Sequence, residues 1–172
     1  DSAIDPARVR EAGFEPDNPQ PHFWRAATLA PASFTFEAIE AYEKCLELNP
    51  SHVGALLGRG HLLKGVGRYQ EAVASYDACI RERPDSGEAY WSLANLKTYR
   101  FDDATVSEIE KRAAVSGSNV QSVVNFHFAL GKAYEDRGDY ERAWDQYRRG
   151  NETQRAQVKY DPVQTEVMND RI

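Results

Sequence analysis

The sequence predicts an all-α fold of antiparallel helix pairs, and three observations predict it. Residues recur at a spacing of 34: Pro16, Pro50 and Pro84, then Ala38 and Ala72, Tyr42 and Tyr76, Cys45 and Cys79. Apolar residues between these landmarks fall three and four apart, which is the period of one helical face and not of a strand. Glycine or proline stands where one helix must stop and another begin, at Pro50, Gly67, Pro84 and Gly138. A two-helix unit of this length buries its apolar face only against its neighbours, so stability comes from stacking.

The clearest pair runs from Phe128 to Gly150. Leu130, Gly131 and Tyr134 share one helical face, and Gly138-Asp139 punctuates the turn. Tyr140, Ala143, Tyr147 and Gly150 mark the face of the second helix. Small residues at Gly131 and Ala143 let the two helices approach closely, with tyrosines filling the space around them.

Taken in order, residues 1–18 read as the tail of a preceding degenerate unit, closed by Pro16. The first full unit spans 19–52. Its first helix, around Pro21 to Ala30, is ended by Pro31; its second places Phe36, Ile39, Tyr42 and Leu46 on one face. Pro50-Ser51 stops that helix and offers a cap for the next. The unit at 53–86 is the most regular, with Leu56, Gly60 and Leu63 in its first helix and Tyr69, Ala72, Tyr76 and Cys79 in its second. The unit at 87–123 begins with Tyr90, Leu93 and Ala94, then replaces the glycine turn by Arg100-Phe101-Asp102-Asp103, an aspartate serving as cap. Leu93 and Leu130 are 37 apart, which places a three-residue insertion before the unit at 124–158. Asp161-Pro162 then reads as a cap with a first-turn proline, so 159–172 is expected to start a capping or linking helix.

Composition narrows the function. The chain has 172 residues, 41% hydrophobic and 28% charged, which is enough for a globular core. Its net charge of −6 speaks against nucleic acid as a partner. No apolar run of about 18 residues exists, so no membrane span is expected, and no charged-then-apolar leader opens the chain. The expected location is cytoplasmic. The start at Asp1 reads as a piece of a longer chain or a processed form.

Candidate chemistry is sparse. Gly58 to Gly67 resembles a phosphate loop in its glycines, but it lies within a helix and its turn instead of after a strand. His22, His52, His61 and His127 make no metal pair with another His or Cys at helical spacing, so no metal site is expected. Cys45 and Cys79 read as small buried core residues. Asp102-Asp103 reads as a cap before it reads as an acid catalyst.

The order Ala, Tyr, Cys, Pro, at steps of four, three and five in two units, resembles the tetratricopeptide repeat family. That resemblance implies a right-handed α-solenoid whose first helices line a concave groove. The fifth place of each unit points there and holds Phe23, Leu57, Trp91 and Phe128; the ninth holds Ala27, His61, Asn95 and Lys132, with Lys64 near His61. An apolar ladder with an amide and cations beside it suits an extended or helical peptide, or an adjacent domain of the same chain. The alternative is that these side chains pack against neighbouring helices. Family members that grip acidic chaperone tails often carry lysine at the fifth place; here it is apolar throughout, which makes that reading a minor one.

Two stretches go further. Tyr90-Trp-Ser-Leu-Ala-Asn-Leu-Lys-Thr-Tyr-Arg-Phe101 and Phe126 to Tyr140, followed by Tyr147 to Asn151 and Tyr160-Asp-Pro162, resemble the N-terminal repeats of bacterial two-domain proteins with a sulfotransferase domain. In that family the catalytic domain uses 3′-phosphoadenosine 5′-phosphosulfate, held by a Gly/Arg/Ser/Thr loop after a strand. No such loop lies between Asp1 and Ile172. The resemblance therefore implies a non-catalytic scaffold without a cofactor of its own, which binds a protein or peptide beside an enzyme. The alternative is a dimerisation or purely structural module.

Overall fold

A computed structural model of the chain describes residues 17–32, 34–115 and 119–157. Every regular element among them is a helix: α1 (Gln20–Leu29), α2 (Thr35–Leu48), α3 (Val53–Gly65), α4 (Tyr69–Glu82), α5 (Gly87–Ala94), α6 (Asp103–Ala113), α7 (Val120–Asp136) and α8 (Tyr140–Arg155). The fold class is all-α, in antiparallel hairpins. The expected helix start at 159–172 and nearly all of the tail at 1–18 lie outside the described residues.

The chain divides into two compact units, one up to Ser92 and one from Leu93 onward. In the first, α1 packs on α2, α2 on α3, and α3 on α4. Its core joins Ala26, Ala41, Tyr42, Cys45 and Ala55, then Leu56, Cys79 and Ala89 from α3, α4 and α5. Leu63 is completely buried, and burial of such a side chain contributes about 2 kcal/mol. In the second unit α7 packs on α6 and, most extensively, on α8. Val106, Ile109, Val124, Phe126, Leu130 and Tyr134 fill its interior.

Two glycine turns close the hairpins. Gly67 (φ +81°) and Gly138 (φ +74°) take the left-handed conformation that an L side chain resists. Each sits in the same double hydrogen bond. Arg68 N–H reaches Leu63 O at 2.9 Å and Gly67 N–H reaches Lys64 O at 3.2 Å; Asp139 N–H reaches Tyr134 O at 2.9 Å and Gly138 N–H reaches Glu135 O at 3.0 Å. The third turn does without glycine. α5 stops at Ala94, and Arg100 braces the following loop by donating to Lys97 O (3.0 Å) and Tyr99 O (2.7 Å). Asp102 then caps α6, accepting from Thr105 N–H at 2.7 Å.

Close helix approach is made at glycine. A Cβ on Gly60 would lie 2.6 Å from the Tyr76 ring, and one on Gly131 2.5 Å from the Tyr147 ring. Gly58 does the same toward α2, where a Cβ would lie 2.5 Å from the Tyr42 ring. The glycine run that resembles a phosphate loop is thus spent on two tyrosine contacts, one on each flank of α3.

Three expectations are corrected. The cap of α3 is not Ser51 but His52, whose Nδ1 accepts from Ala55 N–H at 3.1 Å. Phe36 is 65% exposed, because the buried face of α2 is centred on Ala38, Tyr42 and Cys45, which lies well around the helix from it. Tyr69 and Tyr140, expected on buried faces, are both exposed. Each is the first residue of its helix, beside the tight turn, where the hairpin offers its ring no partner helix.

Candidate interaction surface

α3 is gripped on two sides and open on a third. Its Gly58 side meets Tyr42 of α2 and its Gly60 side meets Tyr76 of α4. Between those two contact lines, at intervals of four and three residues, lie Leu57, His61 and Lys64, one stripe of the helix. Leu57 and Lys64 are half-buried and His61 is exposed. Lys64 stands in the last turn of α3, where a cation complements the helix dipole.

His61 is held in place by two neighbours. Its Nε2 lies 3.1 Å from a carboxylate oxygen of Glu88 on α5, and its Nδ1 3.0 Å from the Tyr76 hydroxyl on α4. A carboxylate only accepts, so Nε2–H donates to Glu88 and Nδ1 accepts from Tyr76 O–H in the neutral ring. Burial pushes the Tyr76 hydroxyl up to about 12, and a hydrogen bond with Ser92 acts in the opposite sense. Trp91, on the same short helix as Glu88, is half-buried.

The remaining predicted residues fall as follows. Phe23 leans on the core of the first unit, its ring 4.7 Å from His52 and 6.1 Å from Tyr42. Leu57 backs onto the Leu56–Cys79–Ala89 cluster. Asn95 lies one residue past the end of α5, exposed in the turn and not on a helix. In the second unit Phe128 rests on α8, 6.5 Å from the Tyr147 ring and close enough to Gly150 that a Cβ there would come within 2.9 Å. Lys132 forms ion pairs with Asp136 and, at 3.7 Å, with Glu135 of its own helix. Leu57, His61 and Lys64 are thus brought together on α3, while the rings of Phe23 and Phe128 are committed to packing.

The most exposed aromatic side chains among the described residues are others: Trp24, Phe34, Phe36, Tyr69, Tyr140 and Trp144. The signal for Trp144 is phase. It follows Ala143, which is buried, and one residue on a helix is about 100° of rotation. Among the described residues no group of three or more His, Cys, Asp or Glu side chains could hold a metal ion, and no helix is long and apolar enough to cross a membrane.

Residues 37–96 match the tetratricopeptide repeat family. An uncharacterised protein of Aquifex aeolicus strain VF5 is 23% identical over 145 residues; the match takes in 84% of this chain and only 19% of that protein. Among solved structures, MamA from Desulfovibrio magneticus RS-1, from residue 41 to its end, superposes with a TM-score of 0.60 at 20% identity, covering 86% of this chain and 82% of that one. YrrB, described as a tetratricopeptide protein with an unusual peptide-binding site, gives 0.51 at 15% identity over 86% and 91% of the two chains. These likenesses concern the fold.

Proposed function

We propose that this chain is a recognition scaffold that binds a protein or peptide on the open face of its first helices. The observation that carries this reading is the stripe on α3. Leu57, His61 and Lys64 remain solvent-reachable although both flanks of the helix are packed. An apolar residue, the face of a positioned imidazole and a cation in one line offer a peptide a hydrophobic seat, a flat ring to lie against and one polar contact. Trp91, half-buried on α5, extends the proposed surface within the first unit. YrrB, of like fold, is described as having a peptide-binding site, which supports a peptide as the ligand class.

The wording of Tyr90 to Phe101 and of Phe126 to Tyr140 supports a placement beside a sulfotransferase-type domain, where the scaffold would present an acceptor. Reading the coding frame past Ile172 tests that context: a strand followed by a Gly/Arg/Ser/Thr loop supports it, and a stop codon soon after Ile172 removes it.

The binding reading is tested by selecting peptides from a displayed library on this chain and titrating them calorimetrically. Trp91→Ala and Leu57→Ser are expected to weaken the selected peptides about tenfold or more while the protein stays helical by circular dichroism. Peptides whose affinity ignores both substitutions would refute the surface. A dimer in light scattering that these substitutions dissolve would instead favour the dimerisation reading.

A further inference from the structure

The two units treat one location differently. In the first unit, the space enclosed by α2, α3 and α4 is filled by Tyr42, Cys45, Leu46 and Leu56, all buried or partly buried in the core. Counting by the repeat and its three-residue insertion, the same places on α6 and α7 are Glu110, Ala113, Ala114 and His127. A tyrosine ring, a thiol and two leucines have become a carboxylate, two methyl groups and an imidazole. The result is a cavity of about 220 Å³ among α6, α7 and α8, lined also by Leu130, Gln146 and Arg149. Three of its lining residues, Glu110, Ala114 and Arg149, are exposed, so it opens to solvent and a small molecule can enter it.

Its polar groups are sorted by sign. Glu110 accepts the Tyr134 hydroxyl on one carboxylate oxygen and keeps the other. His127 Nδ1 lies 2.8 Å from Gln146 Oε1; an amide oxygen only accepts, so the proton is on Nδ1 and Nε2 of the neutral ring is an acceptor. These two groups suit an ammonium. On the α8 side, Arg149 donates its Nε to Asp145 at 2.8 Å, which leaves its terminal nitrogens for a ligand, and the Gln146 amide nitrogen is a further donor. These suit a carboxylate. Leu130 and Ala113 form the apolar floor, with the exposed Ala114 at the rim.

We propose that this cavity is a binding site for a free α-amino acid with a small apolar side chain. The ammonium lies toward Glu110 and His127, the carboxylate toward Arg149 and Gln146, and the alkyl group on the alanines. The site goes beyond the peptide surface proposed above and uses none of its residues.

The probe is L-valine, followed by calorimetry and by the amide signals of residues 110–114, 127 and 146 in NMR spectra of the full chain. Isobutylamine, which lacks the carboxylate, and isovalerate, which lacks the ammonium, are the controls. Valine is expected to bind in the ~1 mM range, and each control at least about tenfold more weakly. Glu110→Gln is expected to weaken valine about tenfold, and so is Arg149→Gln. Ala114→Leu, which restores the residue found at the equivalent Leu46, should abolish binding with the melting temperature held or raised. Signals that valine does not move, controls that bind as tightly as valine, or binding that survives Ala114→Leu would each overturn the site. Glu110 and Arg149 are exposed, so their variants fold and decide the matter even where Ala114→Leu does not.

Discussion

The α3–α4 and α7–α8 hairpins share a steric plan and differ in how they tie off its polar ends. Each sets a glycine of the first helix under a tyrosine ring of the second, Gly60 under Tyr76 and Gly131 under Tyr147. Each closes on a left-handed glycine. Yet Tyr76 is wholly buried and its hydroxyl meets His61 and Ser92, whereas Tyr147 is half-buried and donates to the exposed Glu135 at 2.8 Å. Shape is the repeated part of the unit, and hydrogen bonding is where each copy specialises.

The largest effect that probes this difference is steric. Gly60→Ala drives a methyl group into a ring that cannot move, and is expected to cost about 3 kcal/mol. Gly131→Ala meets a ring whose hydroxyl end reaches solvent and can swing, and is expected to cost about 1 kcal/mol. Urea melts of the two variants measure both; equal losses would break the contrast.

Alkaline titration separates the hydroxyls. In the unfolded chain Tyr76 ionises near 10, and in the folded chain only near 12. Between those values the unfolded state has released a proton that the folded state keeps, so stability present below about pH 10 is lost as pH rises toward 12. Tyr76→Phe is expected to flatten that decline. The Tyr147 hydroxyl is also held above its ordinary range, first by burial and then by the Glu135 carboxylate. Added salt should therefore ease its share of the decline and leave that of Tyr76 nearly unchanged. A decline in the Tyr76→Phe protein as steep as in the parent would contradict this assignment.

The smallest effect is the one the hairpins share. Gly67→Ala and Gly138→Ala meet open space and lose only the left-handed backbone preference, about 1 kcal/mol each. Matching shifts in thermal midpoint are expected, and unequal ones would show that the two turns are not equivalent.

Much of this was legible in the sequence, and the reason is locality. Gly67, Gly138 and Asp102 act on residues within one turn of themselves, and the period of 34 repeats them in view. Gly60 and Gly131 were legible because their tyrosines lie one helix away at a fixed interval. Gly58 was not, since its partner Tyr42 belongs to the preceding hairpin. The His52 cap was not, because imidazole is an uncommon cap and Ser51 stood beside it. The cavity was not legible, because it needs His127 on one helix and Glu110, Ala113 and Ala114 on another to be seen together. Of the proposed surface, position along the helix was readable, while the commitment of the Phe23 and Phe128 rings to packing depended on rotamers that periodicity does not encode.

The pairing of Gly58 with Tyr42 has a consequence for how such a chain can change over time. A side chain at 58 meets the far end of the Tyr42 ring, so it is accommodated only if that ring shifts or is replaced. The second unit carries another combination at the equivalent places, Ala129 and Glu110. One molecule thus holds two solutions to the same close approach, and alanine under an unshifted tyrosine is the combination that neither uses.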